Sequence, residues 1–225
     1  MSDKEVALIV GAGSGLSASI ARLFTKNNMQ VALASRNIKN IEDVCKETNS
    51  KPYTCDAVIP EQVDALFDSV TREIGIPNIV IYNASARARG PIFEVDREEF
   101  KNAIMVSCYA GFLVGQKAAQ LMLSQGSGSI FFTGASASVK GYPQSAAFAM
   151  GKFGLRGLAQ SMARELSPKN IHIGHFVIDG GILKGPDDPR VNRSLSDEAK
   201  GVVIDSLLDP DAIAKTYLDV HNQHR

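Results

Sequence analysis

Short apolar runs alternate with longer amphipathic segments along most of this chain, and this alternation limits the possible folds more than any other feature. The first run, Val6–Val10, has five consecutive apolar residues, which is typical of a parallel strand buried on both faces. It ends at a glycine, and Ile20, Leu23 and Phe24 then lie on one helical face. This order predicts an α/β fold: a doubly wound parallel sheet with helices on both faces.

The same pattern predicts six strands and the helices between them. The predicted strands are Val6–Val10, 31–34, 53–55, Ile79–Tyr82, 129–133 and 171–177. The predicted helices are residues 16–24, 38–47, 60–74, 97–124, Ala146–Leu166 and 210–220. No repeat or linker interrupts the series, so residues 1–225 are predicted to form a single domain.

Residues 179–208 differ in composition from the rest of the chain. Glycine, proline and charged residues dominate there, without a long apolar period. Because this segment follows the last predicted strand, it is interpreted as a substrate-side lid over a ligand crevice. An ordinary surface loop is the alternative interpretation.

Charge and cysteine content exclude several classes of protein. Twenty-four basic and twenty-four acidic residues give a formal net charge of zero, which argues against nucleic acid as the main partner. Cys45, Cys55 and Cys108 have no metal-ligand spacing and are interpreted as reduced thiols of a cytoplasmic protein. His172 and His175, three residues apart on a strand, would face opposite sides, so no metal site is predicted. No membrane span or signal peptide is expected.

A glycine-rich segment, GAGSGLS at residues 11–17, separates the first predicted strand from the first predicted helix. Gly11 permits a tight turn there, and Gly15 lets a pyrophosphate approach the positive end of the helix. The residues predicted to bind this part of a cofactor are Gly11, Gly13, Ser14, Gly15 and Leu16. A turn without a ligand is the alternative, but the position between the first strand and the first helix disfavours it.

Three further motifs combine with the glycine spacing. These are NAS at residues 83–85, SAS at residues 136–138 and Lys152 within a long predicted helix. In this combination the chain resembles the short-chain dehydrogenase/reductase family over essentially its whole length. The resemblance implies a Rossmann fold, a nicotinamide cofactor, a small-molecule carbonyl or alcohol substrate, and a homodimer or homotetramer. Family members usually add a seventh strand after the last helix, so six strands are expected here unless the chain is truncated.

The cofactor preference is predicted from Arg36, just past the second strand. An acidic residue there would accept the 2′-hydroxyl of NAD, whereas arginine suits a 2′-phosphate. NADP(H) is therefore the preferred cofactor and NAD(H) a possible one; a solvated arginine is the alternative. The resemblance also implies an adenine contact at Asp56 and a brace beside the cofactor at Asn83. Ala84, Gly180 and Ile182 complete the predicted cofactor contacts.

The resemblance further implies a catalytic row of asparagine, serine, tyrosine and lysine, and this chain departs from it at two positions. Ser136 matches the serine that polarises the carbonyl, and Lys152 matches the lysine that holds the nicotinamide ribose. Phe148 stands where the tyrosine proton donor belongs, and Ser107 replaces the asparagine. A phenyl ring has no dissociable proton, so it cannot act as a general acid. Ser107 can still bond a water molecule.

Other residues near the row admit two interpretations each. Tyr142 is either a substitute proton donor or a loop residue beside Pro143. Arg87 and Arg89 could meet an anionic substrate, although a solvated loop is favoured. Two smaller departures are Ser17 for the third loop glycine and Asp179 before Gly180. The chain is interpreted as an NADP(H)-dependent oxidoreductase with a degenerate catalytic row; the alternative is a non-catalytic NADP(H)-binding module.

Overall fold

The structure is a computed structural model that describes residues 4–184, 188 and 207–223. The strands are β1 (Val6–Val10), β2 (Gln30–Ser35), β3 (Lys51–Thr54), β4 (Ile79–Tyr82), β5 (Gly128–Thr133), β6 (Ile171–Phe176), β7 (Gly181–Ile182) and β8 (Leu207–Leu208). The α-helices are α1 (Leu16–Lys26), α2 (Glu42–Thr48), α3 (Pro60–Glu73), α4 (Arg97–Ile104), α5 (Ala110–Gln125), α6 (Ala146–Leu166) and α7 (Pro210–His221). Short 3₁₀ turns lie at Ile38–Asn40, Ser136–Ser138 and Ser167–Lys169.

Six of the described strands form one parallel sheet in the order β3-β2-β1-β4-β5-β6. This confirms the predicted fold class and the predicted number of strands in the main sheet. The chain moves outward from β1 to β3, then crosses back to start again at β4. The strand order therefore reverses between β1 and β4, and the crevice beyond their carboxyl ends is where such folds bind ligands.

The core lies on both faces of this sheet. On β1, Leu8 and Val10 pack into the cluster covered by α3, α5 and α6, whereas Ala7 and Ile9 pack into the cluster covered by α1, α2 and α7. All five residues of β1 are buried, which explains its unbroken apolar sequence. No helix in the described part of the chain is long and apolar enough to cross a membrane.

The helix predicted over residues 97–124 is interrupted in the structure. A π-helical segment, Met105–Tyr109, separates α4 from α5. The buried hydroxyl of Tyr82 donates to the carbonyl of Val106 within that segment, and Ser107 bonds the backbone of Ala86. The prediction of one continuous helix is wrong because these contacts come from distant parts of the chain, which helical periodicity does not reveal.

The segment predicted as a lid has ordered ends. Strands β7 and β8 pair in parallel, Gly181 with Leu207 and Ile182 with Leu208. The backbone N–H of Leu183 also donates to the carbonyl of Leu208 at 3.1 Å. The sequence pattern predicted neither of these short strands. The rest of the predicted lid, 185–187 and 189–206, lies outside the described residues.

Candidate active site

Two adjoining cavities form a crevice along the carboxyl ends of the strands. The first, about 610 Å³, is lined by the ends of β1, β2 and β4 and by the residues after β3. The second, about 980 Å³, is lined by the residues after β5 and β6 and by one side of α6. Asn83 and Ser85 line both cavities, so the two halves are continuous. Their sizes are in the usual range for small-molecule sites.

The glycine-rich turn at the centre of the crevice is tightly constrained at Gly11. Its φ is +82°, and a Cβ atom there would lie 2.4 Å from the backbone nitrogen of Ala84. The N–H groups of Gly11 and Ala12 both donate to the carbonyl of Ala34, at 3.0 and 2.9 Å. Only glycine combines this φ with so close an approach of two chain segments. The turn is thereby fixed against β2 and β4.

The rest of the turn is open towards the crevice. A Cβ atom at Gly13 would meet no atom within 4 Å, and Ser14 is exposed. Helix α1 then begins at Leu16 with no side-chain cap and no acidic residue in its first turn. Its first N–H groups are therefore available to an anion. The space and the donors fit a pyrophosphate.

The serine that replaces the third loop glycine is part of the site. The side-chain amide of Asn83 donates to the Ser17 hydroxyl at 2.7 Å, and the Asn83 backbone N–H donates to Val10 at 2.8 Å. Asn83 thus braces β1, β4 and the start of α1. Ser17 is 1% exposed, so its hydroxyl needs this partner. The sequence predicted the brace but not the partner, since nothing local marks the pair.

At the adenosine end, Arg36 and Asp56 line the first cavity. Arg36 is exposed and forms no ion pair with another described residue. The Asp56 carboxylate accepts from the N–H of Val58 at 3.3 Å, and the Asp56 N–H donates to Gln62 at 2.8 Å. The structure therefore brings a free guanidinium and an anchored aspartate to one end of the crevice.

At the opposite end, Lys152 is almost fully buried. Its amine donates to the carbonyl of Thr133 at 2.7 Å and lies 5.9 Å from the ring centroid of Phe148. Burial, and secondarily the positive charge of Arg87, lower the pKa of Lys152 to about 8. Ser136 begins the 3₁₀ turn after β5 and lines the same cavity. Gly180 and Ile182 line it from the other side.

Phe148 lies within this arrangement, on α6. Its side chain is 6% exposed and lines the second cavity together with Ser136 and Lys152. Tyr142 lines the same cavity and is 41% exposed. The centroid of its ring is 5.4 Å from the amine of Lys140. A tyrosine side chain therefore lines the cavity, although on a loop rather than on α6.

Ser107 is fully buried, and its hydroxyl hydrogen-bonds to the backbone of Ala86. The hydroxyl accepts from the Ala86 N–H at 3.1 Å and donates to the Ala86 carbonyl at 3.2 Å. Its one proton is thus used, and a second lone pair is left with which the hydroxyl could accept from water. Ser107 fixes the loop that follows Asn83.

Arg87, on that loop, is exposed, as a solvated loop predicts. One face of its guanidinium nevertheless lies on the Phe148 ring, with the guanidinium carbon 3.9 Å from the ring centroid. Burial, and then the charge of Arg89, lower the pKa of Arg87. Both arginines line the second cavity. The sequence gave no signal for the stacking, because it joins two segments far apart in the chain.

Strand order, crevice and open glycine turn define a dinucleotide-binding protein of the doubly wound α/β class. The sequence pattern of the short chain dehydrogenase family matches residues 5–184, and the chain belongs to that family.

Individual relatives agree with this assignment. The chain is 28% identical over 183 residues to 3alpha-hydroxysteroid dehydrogenase of Mediterraneibacter gnavus, a match covering 77% of this chain and 72% of the relative. It is also 28% identical to Short chain aldehyde dehydrogenase 1 of Euphorbia lathyris, over 75% of this chain but only 61% of that relative.

Solved structures show the same likeness. A short-chain dehydrogenase from Rhodopseudomonas palustris matches with a TM-score of 0.80 and 32% identity, covering 100% of this chain and 94% of that one. An actinorhodin polyketide ketoreductase solved with NADPH matches with a TM-score of 0.85 over 99% of this chain and 92% of that one. At 20% identity the second match is a likeness of fold alone.

Proposed function

We propose that this protein is an NADP(H)-dependent oxidoreductase that transfers a hydride to or from a carbonyl or alcohol substrate. The observation that carries the proposal is the continuous crevice, with Arg36 at one end and Ser136 and Lys152 at the other. A dinucleotide has its adenosine phosphate and its nicotinamide at opposite ends, so each end of the crevice has a matching chemical group.

The cofactor would be held by residues along the whole crevice. The turn from Gly11 to Leu16 and the first N–H groups of α1 suit the pyrophosphate. Arg36 suits the 2′-phosphate of NADP(H), and NAD(H) remains a possible cofactor. Asp56 and Ala84 line the adenosine cavity, while Gly180 and Ile182 flank the nicotinamide end. When bound, the cofactor supplies or accepts the hydride.

Ser136 and Lys152 are the residues that would act on the substrate and the ribose. The Ser136 hydroxyl can donate a hydrogen bond to a carbonyl oxygen and stabilise the negative charge that develops there. The Lys152 amine, with a pKa lowered to about 8, is still mostly protonated at neutral pH. It can therefore donate to a ribose hydroxyl while keeping its bond to Thr133.

The proton that must reach the substrate oxygen has no donor at position 148. Tyr142 is the substitute proposed here, since its hydroxyl belongs to a side chain that lines the same cavity. The second candidate function is a non-catalytic NADP(H)-binding module, which the buried phenyl ring of Phe148 favours. A cytoplasmic location is proposed as well, supported by three free thiols.

Phe148→Tyr tests the proposal directly. It adds a hydroxyl beside Lys152 and restores a general acid, so NADPH-dependent turnover of a panel of aldehydes and ketones should rise at least about tenfold. Phe93→Tyr is the control, because Phe93 is 82% exposed and lines neither cavity; it should leave turnover unchanged.

Two further outcomes separate the candidate functions. If the native protein turns over and Tyr142→Phe abolishes turnover, the loop tyrosine is the proton donor. If neither the native protein nor Phe148→Tyr consumes NADPH with any substrate, yet both bind it tightly, the oxidoreductase proposal is refuted in favour of the binding module.

A further inference from the structure

Two arginine side chains face the second cavity without a partner of opposite charge. Arg87 and Arg89 both line it, and neither guanidinium forms an ion pair or hydrogen bond with another described residue. Although Arg87 is exposed, one face of its guanidinium is covered by the Phe148 ring, 3.9 Å from the ring centroid, and has lost its hydration there. A guanidinium that has lost part of its hydration and has no counter-ion favours an anionic ligand.

The loop that carries these arginines is anchored at three points. Both backbone groups of Ala86 bond Ser107. Ala88 is 2% exposed and belongs to a small apolar cluster with residues of α4 and α6. The N–H of Gly90 donates to the carbonyl of Gln144 at 3.3 Å. The backbone on both sides of Arg87 is therefore fixed, and a preorganised side chain loses less entropy when it binds a ligand.

The two departures from the family's catalytic row meet at this loop. Ser107, in place of the asparagine, holds the backbone next to Arg87, and Phe148, in place of the tyrosine, lies against the guanidinium. We propose that this site binds a substrate that carries an anionic oxygen group, a carboxylate or a phosphate, through Arg87 and Arg89. The inference rests on the proposed oxidoreductase function and names the substrate class of that same site.

The charges around the cavity agree with this assignment. Among the described residues, its basic lining residues are Arg87, Arg89, Lys152 and Lys184, against one acidic residue, Asp179. Asp179 is exposed, and its carboxylate lies 3.6 Å from the amine of Lys140, a further basic residue. A cavity lined mainly by one sign of charge attracts ligands of the opposite sign. In a chain with a formal net charge of zero, this is a local concentration of positive charge.

The cofactor already has other partners for its phosphates. Lys184 lies beside the glycine-rich turn, with its Cγ 3.7 Å from where a Gly15 side chain would begin. The first turn of α1 and Arg36 serve the remaining phosphates. Arg87 and Arg89 lie instead with Ser136, on the substrate side. Their planar forks match the paired oxygens of a carboxylate or phosphate.

Binding can be measured without turnover. The NADP⁺-saturated protein, which has no hydride to transfer to a ketone, is titrated by calorimetry with two matched pairs: benzoylformate against methyl benzoylformate, and dihydroxyacetone phosphate against dihydroxyacetone. The anionic member of at least one pair should bind at least about tenfold more tightly, as expected for charge-assisted hydrogen bonds. Raising the ionic strength should weaken the binding of the anionic member of each pair and leave that of the uncharged member unchanged. This measurement needs no variant.

Arg87→Gln should remove that preference and leave NADPH affinity unchanged. Arg97→Gln, an exposed arginine at the start of α4, is the matched control and should keep the preference. Phe148→Leu, which removes the ring beneath the guanidinium, should weaken anion binding, whereas Phe148→Tyr should retain it because the ring remains.

Equal affinities for the charged and uncharged members of both pairs would overturn the anion site. So would an Arg87→Gln variant that keeps the full preference. Failure of the proposed function looks different: the protein would bind the anions through Arg87 but would turn over none of them with NADPH. Loss of NADPH affinity in Arg87→Gln would assign this arginine to the cofactor and refute the inference.

Discussion

The amine of Lys152 lies where a positive charge is poorly solvated. The residue is 2% exposed, and the one hydrogen bond described for its amine is to Thr133. Its pKa of about 8 is lower than in the unfolded chain, where lysine titrates near 10.4. Between these values the unfolded chain binds more protons than the folded protein, so stability rises with pH. Below pH 8 the full penalty of charging the amine is present.

Lys152→Met removes this penalty, so the variant should be more stable than the native protein at pH 7, by about 1–3 kcal/mol. The advantage should shrink as pH rises from 8 to 10.5, because the native amine becomes neutral in both states. Urea unfolding at several pH values across this range measures the difference in the free energy of unfolding between the variant and the native protein. Lys169→Met, at an exposed lysine, is the control and should show no such trend. A pH-independent difference for Lys152→Met would show that burial does not penalise the charge.

The proposed cofactor preference depends on Arg36. We expect NADPH to bind more tightly than NADH, because the exposed guanidinium can pair with the 2′-phosphate. Arg36→Ala should reduce the ratio of the two affinities by about tenfold or more, mostly by weakening NADPH. Lys39→Ala removes an exposed charge from the adjacent 3₁₀ turn and should leave the ratio nearly unchanged. Fluorescence titration with NADPH and NADH measures the ratio of affinities in each variant. Equal affinities in the native protein would contradict the role of Arg36.

Predictability from sequence differs between residues of the site. Arg36 and Asn83 come directly after β2 and β4, so the end of an apolar run fixes their place in the crevice. Ser136, three residues beyond β5, is assigned through the family resemblance. Contacts between side chains distant in sequence cannot. The stacking of Arg87 on Phe148 depends on how a loop lies against α6, and no spacing in the sequence encodes that distance.

At the scale of elements, α6 packs unusually closely on the π-helical segment. A Cβ atom at Gly151 would lie 2.6 Å from the Cβ of Ser107, and one at Gly154 would lie 2.6 Å from the Sγ of Cys108. Glycine allows the two backbones to approach, and the approach keeps Ser107 against Ala86. The packing of two helices thus supports the arginine loop of the site.

Gly151→Ala should destabilise the protein by about 1–3 kcal/mol, because the added methyl group displaces Ser107 in a packed interior. Gly157 lies on the same helix, but a Cβ atom there would meet nothing within 4 Å. Gly157→Ala should therefore stabilise the protein by up to about 1 kcal/mol through helix propensity alone. Urea unfolding of both variants measures the contrast. If both alanines stabilise equally, the contact with Ser107 is not close.

Most elements were predictable because each has a local cause. The buried run of β1 and the apolar period of α6 identify a strand and a helix, and α6 begins and ends where predicted, Ala146–Leu166. The π-helical segment and the β7–β8 pair have no such cause. The π-helical segment forms where Val106 and Ser107 hydrogen-bond to Tyr82 and Ala86, which are distant in the sequence. Strands β7 and β8 pair residues on either side of a long segment.

For the whole molecule, helices α5 and α6 lie side by side over one face of the sheet and still present apolar side chains outwards. Tyr109, Phe112, Leu123, Met150 and Phe153 are 37–56% exposed, and the rings of Tyr109 and Phe112 lie 6.2 Å apart. The inner sides of the same helices are already buried against the sheet. A large exposed apolar surface of this kind usually marks an interface between proteins.

We therefore expect a symmetric homodimer or homotetramer in which these outer faces of α5 and α6 pack against a second copy. A two-fold axis lets one surface bury itself against its own copy, so a single set of residues suffices.

Sedimentation equilibrium at micromolar concentration should give a mass of two or four chains. Phe112→Glu combined with Met150→Glu should dissociate the assembly, because it places charge in an apolar interface. Ile59→Glu, at a residue 37% exposed on another part of the surface, should not. A native protein that sediments as a monomer would contradict the expected assembly, and an assembly that survives the double substitution would place the interface elsewhere.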